Sequence, residues 1–224
     1  MSELTPARAS EASQAAVVDL LGMLAYGELL AFDRMAADAQ LAPDLARRAV
    51  LSEMAGSEIA NYQRIAARLA ELGADPALAM EPFRPALAAY HDQTEPNDWL
   101  EALTKAYVGD SIADDFVREV AEFLGPADRQ LVLEVLHDSR YAEFAADEIR
   151  QALDDDPSVA NRLSMWARRL VGEALTQAQR VAAERETFAK LLLDGNDDLS
   201  GVAGMLRRLT TAHTARMSAV GLNN

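Results

Sequence analysis

Apolar side chains recur every three or four residues along most of the chain, the spacing that places them on one face of an α-helix. The first apolar face comprises Val17, Leu21, Leu24, Phe32 and Met35. It ends at Leu41-Ala42-Pro43-Asp44, where the Pro–Asp pair stops one helix and caps the next. No segment shows the alternation of a half-buried strand. The pattern therefore predicts an all-α protein that opens with a helical hairpin.

A broken but apolar segment follows the second helix. The apolar face of that helix comprises Leu51, Met54, Ile65, Leu69 and Leu72, and Gly73 closes it. Between residues 74 and 97, prolines interrupt short apolar stretches at Pro76, Pro82, Pro85 and Pro96. This segment is too broken for one long helix and too apolar for a free linker. We predict a crossover that packs along the bundle.

Two further helices complete a four-helix bundle. The third begins at Asp98, and a Gly-Pro turn at 125–128 leads into the fourth, predicted as one helix over about 129–153. Two tight hairpins joined by one long crossover are the connectivity of ferritin-like bundles, because an up-and-down bundle has three short loops. Beyond Pro157 we predict a long fifth helix, to about residue 193, and a sixth to about residue 220. The chain is thus expected to be a single domain, 1–224, with a ferritin-like bundle at 13–153 and a helical extension at 158–220.

Composition narrows the classes of function. The formal net charge is −15 and the isoelectric point is about 4.6, so the surface would repel a phosphate backbone and direct nucleic-acid binding is disfavoured. The absence of cysteine excludes disulfides, iron–sulfur clusters and thiolate zinc sites. Residues 1–13 lack the regions of a signal peptide, and no long unbroken apolar run is evident. We expect a cytoplasmic protein without a membrane segment.

Acidic residues interrupt the apolar face of every bundle helix. Each occupies an inner-face position where a core residue is expected. They are Glu28 on the first helix, Glu58 on the second, Asp110 and Asp114 on the third, and Glu143 on the fourth. Each helix is therefore predicted to direct at least one carboxylate into the bundle.

These acids are also predicted to lie at one depth. Residues equidistant from a hairpin turn share a level along the bundle, since a helix rises about 1.5 Å per residue. Glu28 and Glu58 are equidistant from the first turn, and Asp110 and Glu143 are equidistant from the second. We therefore expect these four carboxylates to meet across a pseudo-twofold axis.

Carboxylates that meet in a bundle core need a neutralising partner, because burial and like charge both penalise them. Divalent metals supply one in carboxylate-bridged di-iron and di-manganese sites. The candidate ligands are Glu28, Glu58, Asn61, Asp110, Asp114 and Glu143. Two alternatives to metal stay open. Either Arg or Lys side chains or shared protons satisfy the acids, or the assumed helix phase is wrong by one position.

Histidine is missing where a di-iron site usually has it. The Glu-x-x-His pattern would place imidazoles at Asn61 and Ala146. A literal match, Glu134 to His137, lies away from the level of Glu143 and is interpreted as coincidence. A site of oxygen ligands alone binds iron more weakly and favours harder cations. The metals expected for the carboxylate site are two iron ions or manganese.

Four short sequences resemble a known family. They are AYGELLAFDRMAADA, KAYVGDSIADDF, YAEFA and VGEALTQAQRVAAER. They are similar to bacterial ferritin-like proteins grouped with the tRNA hydroxylase that acts on 2-methylthio-isopentenyl-adenosine. The resemblance implies a di-iron centre that activates dioxygen, with Glu28, Glu58, Asp110 and Glu143 at its carboxylate positions.

Two classes of function follow. The first is a ferritin-like di-metal protein resembling a di-iron monooxygenase, in which Tyr26, Tyr62, Tyr107 or Tyr141 tunes the metal. The alternative is a bundle that has lost its redox metal and serves as a binding or dimerising module through its last two helices. The apolar face of the sixth helix, which includes Leu206, Leu209 and Met217, also predicts a homodimer.

Overall fold

The computed structural model describes residues 13–136, 139–195 and 199–223. The first half contains α1 (Gln14–Asp38), α2 (Leu45–Glu71), α3 (Pro76–Met80), α4 (Arg84–Gln93) and α5 (Trp99–Lys105). The second half contains α6 (Ser111–Ala121), α7 (Pro126–Glu134), α8 (Ser139–Asp155), α9 (Val159–Glu184), α10 (Glu186–Gly195) and α11 (Leu199–Ala219). No strand occurs in these ranges, and the predicted all-α architecture is confirmed. His137 and the N-terminal residues before Ser13 lie outside them.

Helices α1 and α2 form the predicted antiparallel hairpin and pack along their length. The Asp44 carboxylate caps α2 by accepting a hydrogen bond of 2.9 Å from the backbone N–H of Arg47, as the Pro–Asp pair predicts. Gly73 ends α2 with a φ of +77°, a conformation that glycine adopts without steric cost. Both ends of α2 are therefore predictable from local sequence.

The crossover lies directly against α1. It consists of α3, a 3₁₀ turn at Glu81–Phe83 and α4. Gly22 of α1 makes this close approach possible, because a Cβ atom there would lie only 2.3 Å from the carbonyl oxygen of Ala79. Phe83 is fully buried in the core. The prediction of a crossover packed along the bundle is confirmed.

The predicted third helix is not continuous. A π-helical turn, Ala106–Asp110, separates α5 from α6. Such turns add a residue to the helix and occur frequently at functional sites. Every residue from Glu101 to Val108 is buried, since α5 lies between α8 and α9.

The predicted fourth and fifth helices are also interrupted. At the end of α7 the side chain of Asn61 donates to the carbonyl of Val135 at 3.2 Å, and α8 starts only at Ser139. The backbone leaves the helical region at Arg185, with φ −123° and ψ 89°. There Arg185 and Thr187 both donate hydrogen bonds to the carboxylate of Asp19 on α1. Side chains from the first hairpin therefore contact both interruptions.

Residues 14–41 form one helix that is long and apolar enough to span a membrane by length and composition alone, so the expectation of a chain without a membrane segment stays a prediction. Nearly half of the most apolar window, 44%, is buried inside the protein. Burial of this kind is what the core helix of a bundle requires. Helix α1 contacts α2 and the crossover.

Helix α11 packs on α6 and α10. Its buried face contains Met205, His213 and Met217. Leu206, on the apolar face that predicts a homodimer, is 46% exposed.

Candidate functional site

Two of the predicted acids lie in the core of the first hairpin. Glu28 on α1 is 6% exposed and Glu58 on α2 is 5% exposed. Their burial agrees with the inner-face positions that the periodicity predicts. Asp114 on α6 is also buried, whereas Asp110, at the end of the π-helical turn, is partly exposed.

The positions expected to complete a ligand set have other roles. The amide of Asn61 is bonded to the carbonyl of Val135. Asp114 lies 3.9 Å from the guanidinium of Arg118, one helical turn away. The Asn61 contact links α2 to the end of α7, whereas the Asp114 contact lies within α6.

Glu143 does not reach the core. Its side chain is exposed, and Tyr141 occupies the inner face of α8 together with Ala145 and Ile149. The prediction of an inward Glu143 depends on one continuous helix from Val132. The interruption between α7 and α8 changes the helical phase of the residues that follow it. Tyr141 therefore occupies the inward position that the pattern assigned to Glu143.

The hydroxyl of Tyr141 lies in an acidic environment. Burial raises the pKa of Tyr141 well above its ordinary value, and the negative charges of Asp110, Asp38 and Glu58 raise it further. These carboxylates come from the π-helical turn, α1 and α2. Tyr141 therefore interacts with two of the predicted acids, Asp110 and Glu58. The hydroxyl of Tyr107 instead donates to the carbonyl of Arg216 on α11 at 3.0 Å. Tyr26 and Tyr62 are only partly buried.

Sequence reasoning missed a buried base beside these acids. Lys105, at the end of α5, is 4% exposed, and its ammonium donates to the carbonyl of Thr94 at 2.8 Å. The ammonium also lies 5.3 Å from the centre of the Tyr90 ring. Burial and the nearby Arg34 lower the pKa of Lys105 to about 7, although the charges of Asp110 and Asp38 oppose that shift. The only indication of this burial in the sequence is the position of Lys105 among apolar residues of the predicted third helix.

Three basic side chains meet at the C-terminal end of α4. Arg34 donates to the carbonyl of His91 at 3.1 Å, Arg169 to that of Gln93 at 2.5 Å, and Lys105 to that of Thr94. The last carbonyls of a helix lack partners within it and carry partial negative charge. Cations from α1, α9 and α5 therefore fix the end of the crossover to the bundle.

A cleft opens beside this helix end. Its volume is about 230 Å³ and its lining comprises Leu30, Asp33, Arg34, His91, Asp92 and Glu95. Burial lowers the pKa of His91 to about 3, and the positive charges of Lys105 and Arg34 contribute in the same direction. The imidazole is consequently neutral at physiological pH, and its buried Nδ1 atom has no hydrogen-bond partner among the described residues.

The arrangement does not fit the di-metal centre that the sequence resemblance implied. Within the described ranges no three acidic or histidine side chains form a group able to hold a metal ion. Glu143 is exposed, Asn61 is bonded to the backbone, and the phenol of Tyr141 takes the inner position of α8. The predicted set of six ligands is therefore not brought together.

Comparison with known proteins supports the fold. The family described as "Ferritin-like domain, actinomycetes" matches residues 11–195. The solved structure of "Protein 19 with aldehyde deformylating oxidase activity" from Synechococcus is similar with a TM-score of 0.72, over 96% of this chain and 94% of that chain, at 20% sequence identity. No curated protein matches the sequence. The grouping with a tRNA hydroxylase is part of neither match, but the ferritin-like fold is confirmed. The chain belongs to the family of actinomycete ferritin-like domains.

Proposed function

We propose that this protein is a cytoplasmic ferritin-like bundle that acts as a binding module and does not use a di-iron centre. The observation that carries the proposal is the position of Tyr141. Its phenol occupies the inner face of α8, where the sequence pattern predicts the carboxylate of Glu143. A di-iron site in this fold is built from carboxylates on all four helices. Here α8 contributes a phenol.

Protein cations offer an alternative to metal for the buried acids. Burial raises the pKa of Asp38, and the positive charges of Arg34 and Lys105 oppose that shift. Lys105 and Asp110 also interact electrostatically. Positive side chains near the acids reduce the cost of keeping carboxylates in a low-dielectric core. Arg34 and Lys105 therefore offer Asp38, and Lys105 offers Asp110, a neutralising positive charge.

A second candidate function is a carboxylate metal protein with oxygen-dependent hydroxylase activity of the kind that the sequence resemblance implies. The burial of Glu28 and Glu58 in the first hairpin favours it. Those two carboxylates would hold the metal, with Asp110 of the π-helical turn as a further candidate ligand. Iron or manganese would then supply the redox chemistry.

Metal content separates the two candidates. The full chain would be expressed with added iron and manganese, purified without chelator, reloaded anaerobically with Fe²⁺, and assayed by elemental analysis beside Glu58→Gln. The binding module predicts substoichiometric metal that is the same in both proteins. About two metal ions per chain, lost in Glu58→Gln, would overturn the metal-free binding module and establish the metal site of the second candidate. Light scattering on the same samples tests the expected homodimer.

A further inference from the structure

A second cleft lies on the outward side of α11. Its volume is about 500 Å³, and all of its lining residues belong to this helix: Gly204, Arg207, Arg208, Thr211, Ala212 and Ala215. These positions recur every three or four residues, so they form one straight face that is about 16 Å long. The buried residues Met205, His213 and Met217 lie on the opposite side of the helix. This outward face is called the α11 groove below.

The charge of α11 differs from that of the chain as a whole. The chain has a formal net charge of −15, whereas Leu199–Ala219 contains three arginines and no acidic residue. Arg208 is paired with Glu119 of α6. Arg207 is exposed and forms no ion pair with another described residue. The α11 groove therefore presents positive charge on an acidic protein.

Two guanidinium groups converge beside Gly204. The carboxylate of Glu119 accepts hydrogen bonds from Nε and Nη2 of Arg208, which fixes that side chain and leaves its Nη1 atom outside the ion pair. A Cβ atom at Gly204 would lie 3.5 Å from this Nη1 atom and 3.6 Å from Nη2 of Arg207. Donors from both arginines therefore border one space, and guanidinium donors are well suited to bind a carboxylate.

Contacts within the chain do not require a glycine at position 204. The two arginine atoms are ordinary van der Waals neighbours at the ends of flexible side chains, so alanine would fit there. A glycine inside a helix costs about 0.5–1 kcal/mol relative to alanine. Together with Ala212 and Ala215, it would let a second helix approach to an interaxial distance of about 8 Å. Among the described residues only α11 lines the groove, so the groove fits an elongated partner better than a compact small molecule.

We propose that the α11 groove binds an acidic helix of a protein partner, with a carboxylate of the partner between Arg207 and Arg208 beside Gly204. The charge of the groove selects an acidic partner, and its straight face of small residues selects a helix. A twofold contact between two copies would bring the same face of both chains together, and α11 has no acid to pair with the arginines. The inference rests on the proposed function as a binding module and names its class of partner.

A synthetic peptide tests the proposal. The probe is a fluorescein-labelled peptide of about 18 residues, long enough to be helical in water. Alanines form one face of this helix, and two glutamates four residues apart border that face. The comparison peptide has glutamine in place of both glutamates. Fluorescence anisotropy with the full chain at low salt should show saturable binding of the acidic peptide and binding about ten times weaker for the glutamine peptide.

Two matched pairs of variants locate the bound peptide. Gly204→Leu fills the groove beside the arginines, whereas Gly172→Leu adds the same side chain at an exposed position of α9, where no described atom lies within 4 Å of the new Cβ. Arg207→Gln removes a guanidinium of the groove, and Arg48→Gln removes one from an exposed position of α2. We expect the two groove variants to weaken peptide binding about tenfold and the two controls to leave it unchanged. Because Arg207 has no ion pair to lose, Arg207→Gln still tests the proposal if Gly204→Leu does not fold.

Several results would overturn the proposal. They are an absence of saturable binding, equal affinity for the acidic and glutamine peptides, and equal affinity of the groove variants and their controls. Light scattering that shows a dimer of the parent chain and a monomer of Gly204→Leu would instead assign the groove to a second copy. Metal content measured on the same samples tests the proposed function separately, so a metal-free chain that does not bind the acidic peptide would overturn the inference about the partner alone.

Discussion

The ammonium of Lys105 lies 2.8 Å from the carbonyl oxygen of Thr94 and thereby joins the third bundle helix to the end of the crossover. Both residues are buried, Thr94 completely. A basic group in this position is held away from water and close to Arg34. The folded protein therefore binds the lysine proton less tightly than the unfolded chain does.

This relationship predicts that stability rises with pH on the alkaline side. The pKa of Lys105 falls from its ordinary value of 10.5 to about 7 on folding. Between those values the unfolded chain binds more protons, so the contribution of Lys105 to the free energy of unfolding increases with pH by at most about 1.4 kcal/mol per unit. Urea unfolding from pH 7 to pH 10 measures it. Lys105→Met should flatten the profile, whereas Lys190→Met should follow the parent protein.

His91 should make the fold sensitive to acid. Burial lowers the pKa of its imidazole from 6.5 to about 3. The unfolded chain therefore takes up a proton in that range while the folded chain resists it, and stability is lost as the pH falls from 6.5 toward 3. We expect His91→Gln to remove part of this loss, seen as a smaller drop in Tm between pH 7 and pH 4. Equal drops in the two proteins would contradict the assignment.

Alanine substitutions at two glycines of α1 should change the free energy of unfolding in opposite directions. At Gly22 the new methyl group would meet the Ala79 carbonyl oxygen at 2.3 Å, and overpacking of this kind costs about 1–3 kcal/mol. At Gly27 no atom of the described residues lies within 4 Å of the added Cβ, so Gly27→Ala should stabilise the helix by about 0.5–1 kcal/mol. Chemical denaturation of both variants measures the difference. Similar free energies would mean that the crossover does not pack on α1 as described.

The carboxylate of Asp19 should hold the junction of α9 and α10. It accepts hydrogen bonds from Arg185 and Thr187, and the ion pair is largely shielded from solvent on the Asp19 side. Asp19→Asn leaves the guanidinium of Arg185 without its counter-charge, which should cost about 2 kcal/mol. Glu119→Gln, which removes the charge of a more exposed pair with Arg208, should change stability little. Hydrogen exchange should show faster opening of α10 only in Asp19→Asn.

The parts of the fold that local sequence determines agree with the prediction. Asp44 and Asp98 cap α2 and α5 by accepting backbone hydrogen bonds at 2.9 Å, and Gly73 ends α2. Caps and turns depend on a few adjacent residues. The burial of Glu28 and Glu58 is likewise predictable, because α1 and α2 are continuous helices in which the periodicity keeps its phase.

The site could not be predicted where helices are interrupted or fully enclosed. The prediction that Glu143 points inward assumes one continuous helix. The structure has a break between α7 and α8, and no proline or glycine in the sequence indicates that break. The role of Lys105 escapes the sequence pattern because the C-terminal part of α5 is buried all round, whereas amphipathic analysis assumes one buried face and one exposed face. The misplaced Glu143 and the overlooked Lys105 both depend on tertiary packing, which the pattern of apolar and polar positions along the chain does not contain.

A crystal structure of the full chain grown anaerobically with Fe²⁺, with anomalous diffraction measured at the iron edge, tests the absence of a di-iron centre most directly. We expect Tyr141 on the inner face of α8, Glu143 in solvent, and no anomalous peak between Glu28, Glu58 and Asp110. Two peaks about 3.5–4 Å apart within those carboxylates, with Glu143 turned inward, would contradict this expectation and establish a di-iron protein.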